Sequence, residues 1–424
     1  MMNLNKKIKD NIELNKESYL DYLQAIVKEP STIGNEANAQ KLVEERLKAN
    51  KLDVDVWIPQ HEELQKSEFY NPIRENYDES PNVVGVLKGT QPDGRSIILN
   101  GHIDVVPAGD LDKWEHGAYS GKIIGNKLYG RGTTDMKGGN VATLIALETI
   151  INLGIKLKGD VIYQSVIEEE TGGAGTISAI QRGYKADIAL IPEPSEMKIF
   201  PKQQGSLWFE IKVKGISAHG GTRYEGVSSV EKGIIVFNQL LELEEKRNEK
   251  YRKQDLYKDN PIPIPINIGQ FNGGIFPSSV PEETVIKGRY GVGPDETINE
   301  AKAEFQKMLD DLVEIDQWFE KYPVTVKWEG IHLPPGGSDL DHPMLEILKE
   351  KYEEIEHEKP IVAGSTWGTD GGLLTQYGNI PSIVFGPGTT SMAHFTDEYI
   401  ELDKLFKTAE IIALSIIDWC EIDN

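Results

Sequence analysis

Only one cysteine, Cys420, occurs in the 424 residues. A disulfide within the chain and a thiolate zinc site are both excluded, so any metal has to be held by His, Asp and Glu. Apolar runs are short. None approaches the ~18 residues that a membrane helix needs. The N-terminal stretch MMNLNKKIKDNIELNKE has no apolar core of signal-peptide length, which makes the cytoplasm the expected compartment. Basic residues are scarce as well: 45 Lys+Arg against 68 Asp+Glu leave a formal charge of −23. Nucleic acids and anionic membranes both need a basic footprint, so neither is an expected partner. Internal repeats and low-complexity tracts are lacking. The glycine cluster GRGTTDMKGG matches neither the dinucleotide fingerprint nor the P-loop spacing.

What is present is an ordinary globular composition, in a chain longer than the roughly 250–300 residues at which a single core stops growing. Two domains are expected. Apolar residues at helical spacing predict helices over 14–28 and 35–49, whereas 57–80 has no clear period and reads as a long surface loop or insertion. Short β-branched runs at 82–87 and 96–99 predict buried strands, and 139–153 a helix. Strand 160–167, helix 173–182 and strand 187–191 continue the alternation, which predicts an α/β domain with a mostly parallel sheet. From about residue 206 the pattern changes, because SLWFEIKVKG alternates as a half-exposed antiparallel strand does. A helix at 227–246, strands near 264–271 and 284–291, a helix at 296–313 and a strand at 323–328 make a small α+β module. The LPPGG stretch at 333–337 leads back to the first domain through helix 343–356, a glycine-rich segment at 364–372, strand 382–385 and helix 402–418. The expected division is 1–205 and 330–424 for one domain, with 206–329 inserted into it.

Ligands of open α/β sheets gather beyond the carboxyl ends of the strands. His102 and Asp104 end one predicted strand, Glu168, Glu169 and Glu170 another, and Glu193 a third. His394 follows the FGPG turn after a fourth, and Asp135 lies in a glycine-bounded loop before helix 139–153. Taken singly, each has an ordinary explanation: a hydrogen-bonded pair, a solvated face, a helix cap, a turn. Together, with no cysteine to help, two histidines and several carboxylates at one edge suit a pair of hard or borderline divalent ions, zinc first.

At this point the chain resembles the co-catalytic zinc metallopeptidase/deacylase family of acetylornithine deacetylase, succinyl-diaminopimelate desuccinylase, aminoacylase and glutamate carboxypeptidase. The stretches that carry the resemblance are NGHIDVVP (100–107), LYGRGTTDMKGG (128–139), EEETGGAG (168–175), PEPS (192–195), KGISAHGG (214–221), GTDGGLL (368–374) and IPSIVFGPGTTSMAHFTDEYI (380–400). The resemblance implies two zinc ions per subunit, with cobalt or manganese as substitutes. His102 and Glu193 would complete one site, Glu170 and His394 the other, and Asp135 would bridge them. Asp104 would orient the His102 ring. Counting back from Gly172 makes Glu169 the general base for a water shared by the metals, and leaves Glu168→Ala expected to do little. The inserted module would be a lid and dimerisation domain, its His219 reaching the oxyanion, often from a partner subunit, and its Arg289 gripping a substrate carboxylate. Asp370 and Gly386 would also contact substrate. One departure is Ser278-Ser279-Val280-Pro281, where many relatives carry an asparagine shortly before the proline.

The expected activity is hydrolysis of the amide of a small N-acyl amino acid by a homodimer. A dipeptidase or carboxypeptidase of the same family is the alternative, a deformylase or amidase acting on a smaller amine a further one. A non-catalytic binding homologue is disfavoured, since every expected ligand position is filled.

Overall fold

The computed structural model describes residues 4–423. Among these, nine strands build the main sheet. Its order from one edge is Asp53–Trp57, Asn82–Leu87, Val161–Val166, Ile97–His102, Ile188–Ile191, Ser382–Val384, Ile199–Gln203 and Gly336–Gly337, with Val362–Ser365 pairing Ile199–Gln203 off this path. The four central strands, Val161–Val166 to Ser382–Val384, run parallel. Asp53–Trp57 and Asn82–Leu87 at one edge, and Ile199–Gln203 beside Ser382–Val384, are antiparallel additions. The parallel centre is the one predicted. Its strands are buried on both faces, as their continuous Val/Ile/Leu runs require.

Helices cover both faces. Gly138–Asn152 is buried along almost its whole length and packs against the C-terminal helix Leu402–Cys420. Gly139 opens it at a point where a Cβ would lie 1.8 Å from the carbonyl oxygen of Pro192, so the helix start can press on the strand end that carries Glu193. Buried Lys137 donates to the carbonyls of Ile26 (2.9 Å) and Glu29 (2.8 Å) and so ties this loop to the end of helix Lys16–Lys28. Among the elements that the sequence did not single out are the first helix Leu4–Leu14 and the strands Asp53–Trp57, Ile199–Gln203 and Val362–Ser365.

Strands Ile266–Gly273, Glu283–Val292, Gly205–Lys214 and Thr325–Leu333 form, in that order, a separate antiparallel sheet. Helices Ser229–Tyr251 and Ile298–Asp310 pack on one face of it around Phe209, Ile211, Ile286, Tyr290 and Phe305. The second helix begins with a full capping box, Thr297 and Glu300 exchanging hydrogen bonds.

The stretch 57–80 lies at the surface but is pinned down by buried anchors. Leu64 and Tyr77 are fully buried, Phe69 packs against both hydrophobic cores, and Asn71 donates to the carbonyl of Gly330 (3.0 Å). Arg74 pairs with Glu168 and reaches Glu36 at 3.4 Å. Burial, and after it the charge of Asp104, push the Glu36 carboxyl up to about 7 from 4.5, against the opposing pull of Ser80 and Arg74. Folded protein therefore holds a proton here that unfolded chain has released, and stability falls as pH rises from about 4.5 through about 7. Relative to wild type, Glu36→Gln is expected to gain stability over that window, its Tm advantage widening by about 2 °C in thermal melts from pH 5 to pH 8. A constant difference would contradict the raised carboxyl.

Candidate active site

Three strand ends deliver the polar cluster. His102 ends Ile97–His102, the Glu168–Glu170 turn follows Val161–Val166, and Glu193 follows Ile188–Ile191. Asp135 comes from the glycine-bounded loop, and its peptide bond to Met136 is cis. His394 comes from the loop after Ser382–Val384, with its backbone in the left-handed region at φ 64°. A left-handed backbone costs a residue with a Cβ roughly 1–2 kcal/mol. Arg131 helps to hold it there, donating to the carbonyl of His394 (3.2 Å).

The two imidazoles divide the oxygens of one carboxylate. His102 Nε2 lies 3.2 Å from Asp135 Oδ1, and His394 Nε2 lies 3.4 Å from Asp135 Oδ2. Glu193 Oε1 stands 3.7 Å from His102 Nε2, and Glu170 Oε1 3.1 Å from His394 Nε2. All five predicted ligand residues are thus brought together, with Asp135 in the middle. Glu169 sits on the His102 side, its carboxylate near His102 and Glu193. Burial is the largest influence on the carboxyls of Glu169 and Glu193. It drives both well above the usual range, and neighbouring carboxylates add to the rise while His102 opposes it. For His102, burial works against charge, but Asp135, Asp104 and Glu193 outweigh it and hold the imidazole well above its ordinary value. This much negative charge, packed out of water with nitrogen and oxygen donors only, fits divalent cations.

The surroundings hold these groups still. His102 Nδ1 is 2.8 Å from the carbonyl oxygen of Asp104 and 3.6 Å from its carboxylate. That carboxylate accepts instead from the backbone N–H groups of Glu169 (3.3 Å) and Glu170 (3.2 Å). Asp104 therefore braces both the ring and the glutamate turn. Glu398, which sequence reasoning left unassigned inside the FTDEYI stretch, accepts from the N–H groups of Thr134 (2.8 Å) and Asp135 (3.1 Å) and pairs with Arg131 at 2.6 Å. Asn140 donates to the carbonyl of His102 (2.7 Å).

Glu168 differs from its neighbours. It turns away from the cluster to Arg74, and its backbone carbonyl accepts from Gly173 at 2.6 Å. The expectation that Glu168→Ala does little to activity is joined by an expected loss of stability, since removing it leaves a mostly buried guanidinium without its shortest partner.

A cleft of about 750 Å³ opens over the cluster. Asp135, Glu169 and His394 line one side, and Ser206, Trp208, Asn267 and Arg289 of the antiparallel sheet line the other. Arg289 is held by Ser206 Oγ (2.8 Å) and the carbonyl of Thr366 (3.4 Å) and pairs with no carboxylate among the described residues. Burial lowers it to about 10, still charged at neutral pH. Trp208 and Asn267 were not singled out by the sequence. A signal existed for the first, since a tryptophan occupies the outward series of an otherwise charged alternating strand.

Three predicted residues are not at this cleft. Asp370 is buried at the start of helix Asp370–Gln376 and accepts from Thr176 Oγ1 (2.8 Å). Gly386 is buried against Glu193, where a Cβ would lie 2.3 Å from the Glu193 carbonyl. Neither lines the cleft. His219 is exposed on the antiparallel module, its Nδ1 accepting from the N–H of Gly221 (3.1 Å).

Compared with known families, residues 98–418 match the profile of the peptidase family M20/M25/M40. The chain belongs to that family. Among M20 relatives, an N-formyl-4-amino-5-aminomethyl-2-methylpyrimidine deformylase of Halalkalibacterium halodurans is 30% identical over 97% of this chain and 96% of its own. The protein of the same name in Bacillus subtilis is 34% identical over 81% and 84%, and an acetylornithine deacetylase of Buchnera aphidicola 28% over 77% and 82%. Solved M20-type structures agree in fold: a di-peptidase of Saccharomyces cerevisiae superposes with a TM-score of 0.77 at 14% identity, covering 99% of each chain. A dinuclear metal-binding peptidase of Bacillus subtilis does so at 0.65 and 15%, covering 96% and 99%. The reaction class is the family's, metal-dependent hydrolysis of an amide bond. No helix among the described residues is long and apolar enough to cross a membrane.

Proposed function

We propose that this M20 chain removes a small acyl group from an amine, using two divalent ions, zinc first. The observation that carries the reading is the division of the two Asp135 oxygens between His102 and His394, with Glu193 on one side and Glu170 on the other. His102 and Glu193 would hold one ion, His394 and Glu170 the second, and Asp135 both. When bound, the ions would supply Lewis acidity towards the amide carbonyl and lower the pKa of a water in the cleft.

The chain's own groups do the rest. Glu169, beside the cluster and in no ion pair within 4.0 Å among the described residues, takes the proton of the attacking water and returns it to the departing amine. Asp104 keeps the Glu169 backbone and the His102 ring in place. Arg289 offers a charged donor at the far wall for an acceptor on the substrate. We assign residues 206–329 as a lid and dimerisation domain. His219 then serves the oxyanion of a second copy, a reading supported by its exposure outside the cleft and by the exposed Tyr224, Ile275 and Phe276 on the same module.

The test is amine release by the metal-loaded protein from N-acetylornithine, N-succinyl-diaminopimelate, the formylated aminomethylpyrimidine of the two deformylase relatives, and dipeptides. Chelator-sensitive release from one or more of the N-acyl amines is expected. Hydrolysis confined to dipeptides would favour a peptidase instead.

A further inference from the structure

One row of side chains crosses three strands of the antiparallel sheet. The strands pair so that Asn267 stands opposite Arg289, and Arg289 opposite Trp208. Directly opposed residues project from the same face with Cβ atoms about 4.5–5.5 Å apart. It is the face away from the module's core, because Leu207 and Phe209, the chain neighbours of Trp208, are buried on the other side. The outward series of this strand continues as Glu210, Lys212 and Lys214, so an indole departs from the charged pattern of this face.

The row borders two hollows. Trp208, Asn267 and Arg289 line the cleft over Asp135 and Glu169, and the same three residues line a second hollow across the sheet face. Ile73, from the segment that pins Glu168, lines both as well. Gly330, at φ +82°, makes this possible: a Cβ there would lie 2.6 Å from Trp208 and 3.5 Å from Ile73. The slot has apolar walls at Trp208 and Ile73, with Glu210, Gln270, Lys287 and Glu329 further along the second hollow. Its edge is polar and open to a ligand, for Asn267 is exposed and neither its carboxamide nor the Trp208 N–H has a hydrogen-bond partner among the described residues.

We propose that this slot receives the amine half of the substrate, and that the amine is a flat aminated heteroaromatic ring of the aminopyrimidine type. The proposal rests on the deacylase reading above. A carboxamide presents one donor and one acceptor in a plane, which matches an exocyclic amino group beside a ring nitrogen, as asparagine matches adenine. An indole face suits any flat π-system, whatever its substituents. The α-carboxylate of an amino acid would use Arg289 alone and leave Trp208 and Asn267 without a role.

Binding of the free product amine, 4-amino-5-aminomethyl-2-methylpyrimidine, measured by calorimetry, tests the slot without turnover. It should bind the wild-type protein, and Asn267→Ala and Trp208→Leu should each weaken it about tenfold or more. Trp208→Phe, which keeps a flat ring, should restore most of the loss and also controls for misfolding. In hydrolysis, the preference for the N-formyl aminopyrimidine over N-formylbenzylamine, measured as a ratio of kcat/KM, should drop about tenfold in Asn267→Ala. No binding of the pyrimidine amine, or binding unchanged by both substitutions, would overturn the proposal, as would a wild-type preference for N-formyl amino acids. Failure to hydrolyse any amide would defeat the deacylase reading instead, and the calorimetric result would still judge the slot.

Discussion

Asp135→Ala is expected to leave the protein with close to no bound metal after dialysis, whereas His102→Ala should remove mainly one ion of two. The asymmetry follows from the geometry. Among the described residues Asp135 is the carboxylate whose oxygens are shared between both imidazoles, 3.2 Å from His102 and 3.4 Å from His394, while the glutamate that pairs with His102 is Glu193, at 3.7 Å. Metal binding couples to the whole ligand set, so removing the shared ligand weakens both positions at once. The substitution should spare the loop, because Glu398 grips the backbone N–H groups of Thr134 and Asp135 and not the Asp135 side chain. Elemental analysis, read beside a thermal melt in chelator, checks this. Two ions retained by Asp135→Ala would rule out the bridging role. Amide hydrolysis should fall to the background rate in the same variant.

Glu169→Gln should have the opposite signature, full metal content with turnover reduced by about 10²–10⁴-fold, the usual worth of a positioned acid–base group. Glutamine preserves the volume and one acceptor of a buried side chain but cannot carry the proton. Glu168→Ala is the internal control. Its carboxylate faces Arg74 and not the cluster, so its removal should retain metal and most of kcat while costing about 2 kcal/mol of stability, through a mostly buried guanidinium left with only its longer contacts to Glu36 and Ser80. Should Glu168→Ala prove the inactive variant and Glu169→Gln the active one, the assignment along Glu168–Glu170 is shifted by one residue. Metal analysis, steady-state kinetics and denaturant melts on the three proteins decide it.

The residues of the candidate site were legible in the sequence for a simple reason. A polar residue that ends a continuous apolar strand has nowhere to go but the edge of the sheet, and His102, Glu169, Glu170 and Glu193 all stand in that position. Helix bounds were read well where period and punctuation agreed, as at Pro343–Glu356, with proline opening the helix. The segment 57–80 failed because its buried anchors, Leu64, Phe69 and Tyr77, are spaced at no period that a helix or strand would show. They meet different elements, and only the folded chain supplies the partners. Asp370 and Gly386 stand off the cleft for other reasons. Each lies in a motif that borders the site, yet one carboxylate oxygen of Asp370 accepts from Thr176 and Gly386 packs closely on Glu193, distinctions of a few ångströms that spacing along the chain cannot express.

Composition and pattern alone therefore determined the chemistry available here: nitrogen and oxygen donors with a single cysteine, and a parallel sheet to gather them. These follow from residue types and local periodicity, which are properties of the chain itself. Which carboxylate is shared between the imidazoles, which glutamate of the triplet points inward, and which outward residues of the second sheet face the cleft were decided by tertiary structure. Those are matters of side-chain direction at contacts between segments far apart in sequence. The row Asn267–Arg289–Trp208 shows it most plainly, since strand register across 82 residues of chain sets three side chains on one face.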